Sequence, residues 1–439
     1  MAKKKGSRRS RQGDEEFDDS ASSVSTSTVA SLRDFDVTEA TVLDTNPFER
    51  CIDALYEKRA SVREKGLEGL VALLTGNYCF DEVQQRQETL TSICLGCLRR
   101  GSTTEAVTAA RGLGLHAITL GASDETERLA QEARPVLETA SLHSKAAGVR
   151  VAAAETLALL TFVAAEDPQA TEEVMNHLSG LRRAPSFKVV AAALRGWALL
   201  LSTLPAWRLD SAKIEAHLAS LASHLHDDDV EVRGAAGEAI ALLYHSTGLQ
   251  ELRPFDNELS SNPETPSTPE SGDEAEMSGD EAGTSSAFQA DMDDVMARMK
   301  DLATNRGDRQ RRSKRDRSSL KTTFRDLHNI VEDGAVAETK IKLRHGDTLV
   351  VDTLAATVQL NALRRYLAEG FQIHLQENPL LHQIFGFEPR EQRAERLTPL
   401  EKRMYRSPAS VQSKSRTLRR NYDRAASAAY KGAMIGGDL

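Results

Sequence analysis

The sequence predicts an all-α chain: a HEAT/armadillo-like right-handed α-solenoid, followed by a small C-terminal module with a short β-hairpin and a basic helical tail. Three observations lead there. The stretch Asp227–His245 opens with three acids, which suit the positive end of a helix. It then sets Val230, Val232, Ala236, Ile240, Leu243 and Tyr244 at three- and four-residue steps, one apolar helical stripe. Gly234, Ala235, Ala236, Gly237 and Ala239 crowd its middle, so a neighbouring helix can come close, and the stripe is buried only by stacking. The pattern recurs: Val62-Arg63, Val107-Thr108, Val149-Arg150, Phe187-Lys188 and Val232-Arg233 lie 45, 42, 38 and 45 residues apart, a period near forty that fits HEAT or armadillo repeats. Aromatics are only 5% of the 439 residues against 40% apolar, which favours thin stacked helices over a sheet sandwich.

Taken in order, residues 1–44 read as a disordered tail. Six basic groups and no acid in residues 1–13 precede five acids in residues 14–19 and a Ser/Thr run, too little apolar surface to fold. The basic start is either solvated or an arm that touches nucleic acid or an import receptor. Residues 45–253 are expected to hold about five helix pairs. Eight residues beyond each recurring pair stand Leu70, Leu115, Leu157, Arg195 and Ile240; Arg195 breaks the apolar rule, and Leu194 and Trp197 are candidates to take over its burial. The basic members of the pairs suit an internal ladder between adjoining repeats better than a ligand-binding row.

Chemistry-bearing residues in this region read as structural. Cys94 and Cys97 share a face with Leu90, Ile93 and Leu98, which fits core thiols rather than zinc or redox chemistry. His217 and His224 share a helical face, but no third ligand joins them and His226 points elsewhere. G-x-S-x-G, P-loop and H-E-x-x-H patterns are missing, so no enzyme, cofactor, metal or small-molecule substrate is expected. No uninterrupted apolar run reaches the roughly 18 residues of a membrane span, and the N-terminus lacks a secretory apolar segment; the expectation is a soluble intracellular chain without a membrane partner.

Residues 254–304 read as a disordered acidic linker, with twelve acids and no Lys or Arg between 254 and 297. Thr265 and Thr268 precede prolines, and Ser271 and Ser278 each have an acid three residues on, so all four are candidate phosphorylation sites. A basic linker at 305–322 follows. Arg309, Arg311, Arg312, Lys314, Arg315 and Arg317 are its densest part, either a solvated run or an import signal that the acidic segment masks. Residues 323–390 read as helix, hairpin and helices: a short helix at Phe324–Val331, strands Lys340–Arg344 and Thr348–Asp352, an amphipathic helix from Leu354 to Gly370, another at Phe371–Gln376, and anchors at Leu380–Phe387 expected to dock on the last repeat. In the final segment, 391–439, Lys402, Arg403, Arg406, Lys414, Arg416, Arg419, Arg420, Arg424 and Lys431 face only Asp423 between 402 and 431, with Tyr405, Tyr422 and Tyr430 among them. That spacing suits an arm that tracks phosphates and orders on a nucleic-acid partner.

Four stretches, NPFERCIDALYEKRASVREKGLEGL, FRDLHNIVEDG, LRHGDTLVVDTLAATVQLNALRRYLAEGFQIHLQENPLLHQIFGF and KRMYRSPASVQSKSRT, resemble the interferon-related developmental regulator family. The resemblance implies a non-enzymatic regulator of gene expression. Two roles follow from it. One is a factor on idle ribosomes whose basic C-terminal segment enters an RNA-lined channel. The other is a transcriptional co-regulator that holds a histone-deacetylase co-repressor, or another protein, in the solenoid groove. Location in both cytoplasm and nucleus is expected.

Overall fold

Amphipathic helices of the described residues bury their stripes against the next helix, about half of them opened by a capping side chain, and the result is a two-layer stack. A computed structural model describes residues 46–164, 167–247, 280–304, 314–334, 336–343 and 347–389. The first pair is α1 (Pro47–Leu55) and α2 (Ala60–Gly76), then α3 (Phe80–Arg100) and α4 (Thr103–Leu120), and α5 (Asp124–His143) and α6 (Ala147–Ala164). Next come α7 (Pro168–Leu181) and α8 (Phe187–Leu201), and α9 (Ser211–His224) and α10 (Val230–Ser246). Even-numbered helices pack on one another in sequence, and odd-numbered helices lie over them. Local chemistry explains the boundaries. Asn46 caps α1 with Pro47 at its first turn, Ser102 and Glu105 form a reciprocal capping box on α4, and Asp229 accepts from the amides of Glu231 and Val232.

The repeat register read from the sequence matches this stack. Leu70, Leu115, Leu157 and Ile240 are buried at the centre of their even-numbered helices, and Leu194 and Trp197 are buried where Arg195 breaks the pattern. The internal ladder between adjoining repeats is present at one of the basic positions. Arg63 donates to Glu105 of the next pair at 2.7 Å and to the carbonyls of Glu57 and Lys58. Arg150 instead donates to the Ser141 carbonyl within its own pair, and Lys188 is exposed. The apolar helix α6 is long enough to cross a membrane by composition, yet it is packed between α4, α5 and α8.

The chain departs from the sequence reading in two places. Helix α11 (Asp280–Thr304) occupies the end of the expected acidic linker, and α12 (Lys314–Asp333) replaces both the second half of the basic linker and the short helix at Phe324–Val331. The two pack on each other and against α9 and α10, so the described residues hold six helix pairs rather than five. Met292, Val295, Met299 and Leu302 form the buried stripe of α11 at helical spacing. Twelve acids averaged over 254–297 hid that stripe, because composition reports charge and not its periodicity. Phe324 of α12 is fully buried beside Gly237, where an added Cβ would come within 2.8 Å of its ring. The small residues of α10 thus admit α12 as the spacing predicts.

The second departure concerns where the C-terminal module docks. Strands β1 (Thr339–Lys342) and β2 (Thr348–Val351) pair antiparallel with Ile341 opposite Leu349, and the Leu343 amide donates to the Asp347 carbonyl. Helix α13 (Leu354–Leu367), a 3-10 turn (Ala368–Gly370), α14 (Phe371–Glu377) and α15 (Pro379–Phe385) then follow. They were expected on the last repeat. Instead α13 crosses α10, α8, α4 and α2, which carries α14 and α15 to the first two helix pairs.

Candidate functional site

The sequence singles out three groups of residues: a basic arm, a basic linker and four Ser/Thr positions. Lys402, Arg403, Arg406, Lys414, Arg416, Arg419, Arg420, Arg424 and Lys431 lie outside the described residues, as do Arg309, Arg311, Arg312, Thr265, Thr268, Ser271 and Ser278. Lys314, Arg315 and Arg317 fall on the first turn of α12, with Arg317 exposed.

The face made by the even-numbered helices is the natural groove of such a stack, and the chain's own α13 lies across it. Tyr366 is the centre of the contact. Its hydroxyl is 3.0 Å from Thr156 Oγ1, which itself donates to the Ala110 carbonyl; with that proton used, Tyr366 is the donor of the pair. Arg111 Nη2 donates to the Tyr366 carbonyl at 3.0 Å. Burial and the nearby Glu155 carboxylate push the Tyr366 hydroxyl well above its ordinary range. Gly114 is glycine because a Cβ there would overlap the Tyr366 ring.

Arg195, the residue that broke the repeat, faces this same contact. With Glu155, Gly196, Arg365 and Tyr366 it lines a small cleft between α6, α8 and α13, and its guanidinium reaches Glu231 at 3.4 Å. Glu238 of α10 accepts from Asn361 Nδ2 at 3.4 Å, and burial holds its carboxyl above the usual range against the opposing pull of Arg365. Further along, His374 Nε2 donates to the Leu74 carbonyl at 2.9 Å, and Asn378 Nδ2 donates to the Ile118 carbonyl at 2.8 Å. Asn378 Oδ1 accepts from the Leu380 amide and so caps α15 as well. Among all these, sequence reasoning found only the anomaly at Arg195; isolated His, Asn and Tyr in amphipathic helices carry no spacing signal.

The cysteines and histidines sit where a structural role puts them. Burial pushes the Cys94 thiol up to about 12, and Cys97 beside it is raised by burial and by Glu105, which suits inert thiols. His217 packs its ring 5.1 Å from Trp197, whose other neighbour is the Arg182 guanidinium at 4.8 Å. Among the described residues no three His, Cys, Asp or Glu groups are placed to share a metal.

Comparison with known proteins decides the relationship. Residues 19–332 match the interferon-related developmental regulator family, and residues 378–427 match the interferon-related protein conserved region. The chain belongs to the interferon-related developmental regulator family. It is 28% identical over 354 residues to interferon-related developmental regulator 2 of Mus musculus, covering 77% of this chain and 72% of that one. To interferon-related developmental regulator 1 of Mus musculus it is 26% identical over 353 residues, with 77% and 70% covered. The matched conserved region extends past Thr417 and takes in Arg419, Arg420 and Arg424. Among solved structures, an engineered protein of the Northeast Structural Genomics Consortium aligns with a TM-score of 0.41 at 15% identity, over 65% of this chain and 99% of that one. Family membership makes the chain a regulator and assigns it to no catalytic family.

Proposed function

We propose that this family member is a non-enzymatic scaffold that regulates gene expression on the ribosome or another RNA assembly, with Lys402–Lys431 as the segment that contacts rRNA. The observation that carries the reading is charge: nine Lys and Arg face one acid in that segment, and eight of the nine fall inside the family's conserved region. A cationic arm of this kind gains affinity by displacing counterions from phosphates. The co-repressor reading needs a protein in the groove, and a partner there would have to displace α13 with its buried Tyr366. That favours the RNA reading. On it, the chain works in the cytoplasm, and a nuclear pool would draw on Arg309–Arg317 as an import signal.

Sedimentation with ribosomes tests the proposal. The full chain should co-sediment at low salt and lose about three to five decades of affinity between 50 and 200 mM salt, given six to ten phosphate contacts. A chain lacking residues 402–439 should stay in the supernatant; co-sedimentation unchanged by that deletion would refute the mechanism.

A further inference from the structure

Turns within helix pairs and turns between pairs fall on opposite edges of the stack, because each pair is a hairpin and successive pairs lie side by side. Ser102 Oγ donates to Glu64 at 2.6 Å and Arg63 reaches Glu105, which ties the first two within-pair turns together. The two edges differ in sign. Taking the first four within-pair turns with two residues to either side, the α1–α2 turn exposes Lys58 and Arg59, and the α3–α4 turn exposes Arg99 and Arg100. The α5–α6 turn adds exposed Lys145, and the α7–α8 turn exposed Arg183 and Lys188. Against these seven cations stands one acid, Glu57. The between-pair edge, taken the same way, carries Asp81, Asp124, Glu125, Asp167 and Asp210 against one cation, the half-buried Arg208, which lies over the exposed Trp207 ring and pairs with Glu172.

Helix dipoles account for part of this asymmetry: Asp124 and Glu125 open α5, and Arg99 and Arg100 close α3. They do not account for Arg59, which is the N-cap of α2, or Lys188, in the first turn of α8; both put a cation at a helix's positive end, where it is disfavoured. Nor do dipoles explain why Tyr56 and Phe187 stand 68% and 49% exposed among these charges. Next to Arg183 in the α7–α8 turn, Arg182 is buried over Trp197 and bonds Ser220, with no carboxylate paired to it among the described residues. An uncompensated buried cation is costly to fold, and an anion at the adjoining surface offsets that cost.

We propose that the edge formed by the turns within the first four helix pairs binds the backbone of single-stranded RNA, with Tyr56 and Phe187 as stacking platforms for its bases. Packed helices lie about 8–10 Å apart, so a strand laid along the edge meets a fresh cationic turn at each step. Aromatic rings between phosphate-binding cations are the arrangement that holds single strands without reading their sequence. The proposal extends the RNA reading to a second surface and stands or falls apart from the C-terminal arm.

Anisotropy of a labelled 20-nucleotide polyuridine RNA, titrated with full-length protein over a range of salt, provides the test. An edge variant (Arg99→Ser, Arg100→Ser, Arg183→Ser, Lys188→Ser) should keep its helical circular dichroism and lower the log–log salt slope by about 3, at about 0.7 per lost single-strand contact. Tyr56→Ala with Phe187→Ala should weaken binding about fivefold or more at an unchanged slope. An arm variant (Arg416→Ser, Arg419→Ser, Arg420→Ser, Arg424→Ser) should retain the edge-dependent part. An edge variant with wild-type affinity and slope overturns the proposal and leaves the arm mechanism intact. An arm variant that binds as wild type while the edge variant does not overturns the arm mechanism and supports the edge. Edge changes that spare RNA but abolish capture of a peptide of residues 254–279 would assign the edge to an acidic protein segment and overturn the proposal.

Discussion

The two ends of the segment that crosses the even-numbered helices are fastened by different chemistry. At α14–α15, His374 and Asn378 are fully buried and make neutral hydrogen bonds to the carbonyls of Leu74 and Ile118. Near the α8–α10 end, Glu238, Arg195 and the exposed Arg365 meet as charges, with Gln359 donating to Ser202 beside them. The difference follows how completely each end is closed. Neutral donors are matched one to one with carbonyls where solvent is excluded, and at the partly closed end a half-buried carboxyl is offset by the opposing charge of Arg365. The first end is therefore expected to hold the segment in place, and the second to tune it.

The strongest challenge to that contrast is Asn378→Ala, which removes the α15 cap and strips the Ile118 carbonyl of its donor. A loss of about 3 kcal/mol is expected in urea denaturation, with faster hydrogen exchange across 371–385. A loss below about 1 kcal/mol would mean that the charged end carries the docking instead. Acidification comes next. Burial lowers His374 and takes His116 down to about 4, so both are neutral in the folded chain while an unfolded imidazole titrates near 6.5. Their folded pKa values are depressed, so the unfolded chain binds more protons, and the stabilisation present above about 6.5 is lost as pH falls toward 4. At pH 5 the His116 share alone is about 2 kcal/mol, so His116→Leu should make the drop in urea stability between pH 7.5 and pH 5 smaller by about that amount, leaving the part that His374 contributes. Exchange at 371–385 should quicken before exchange at 354–362. The smallest effect belongs to the charged end: Glu238→Gln keeps an acceptor for Asn361 and removes a half-buried charge, so stability at pH 7 should change by at most about 1 kcal/mol, in the stabilising direction. A loss above about 2 kcal/mol would show that the ion cluster is a fastening in its own right.

Much of the stack was legible in the sequence because each repeat announces itself locally. Leu70, Leu157 and Ile240 recur at fixed offsets, and the glycines and alanines of 234–239 mark a close approach that Phe324 then makes. The sixth pair was missed where composition outweighed period, at Met292–Leu302. The route of α13 was missed for a deeper reason. An amphipathic stripe says that a face is buried but not what buries it, and the partners of His374 and Asn378 are 300 and 260 residues away. Arg195 was the one legible clue, a charged residue where the repeat asks for an apolar one.

Those separations set an order of events during synthesis. A stack held only by adjacent repeats could consolidate turn by turn as it emerges. Here the helices near residues 74 and 118 leave the exit tunnel and wait for residues 374 and 378, an interval of about 15–60 s at 5–20 residues per second. Through that interval their inward surface is bare, and it is the part of the newborn chain on which a chaperone has most to shield. A nonsense codon near residue 360 would accordingly damage the beginning of the molecule rather than its end.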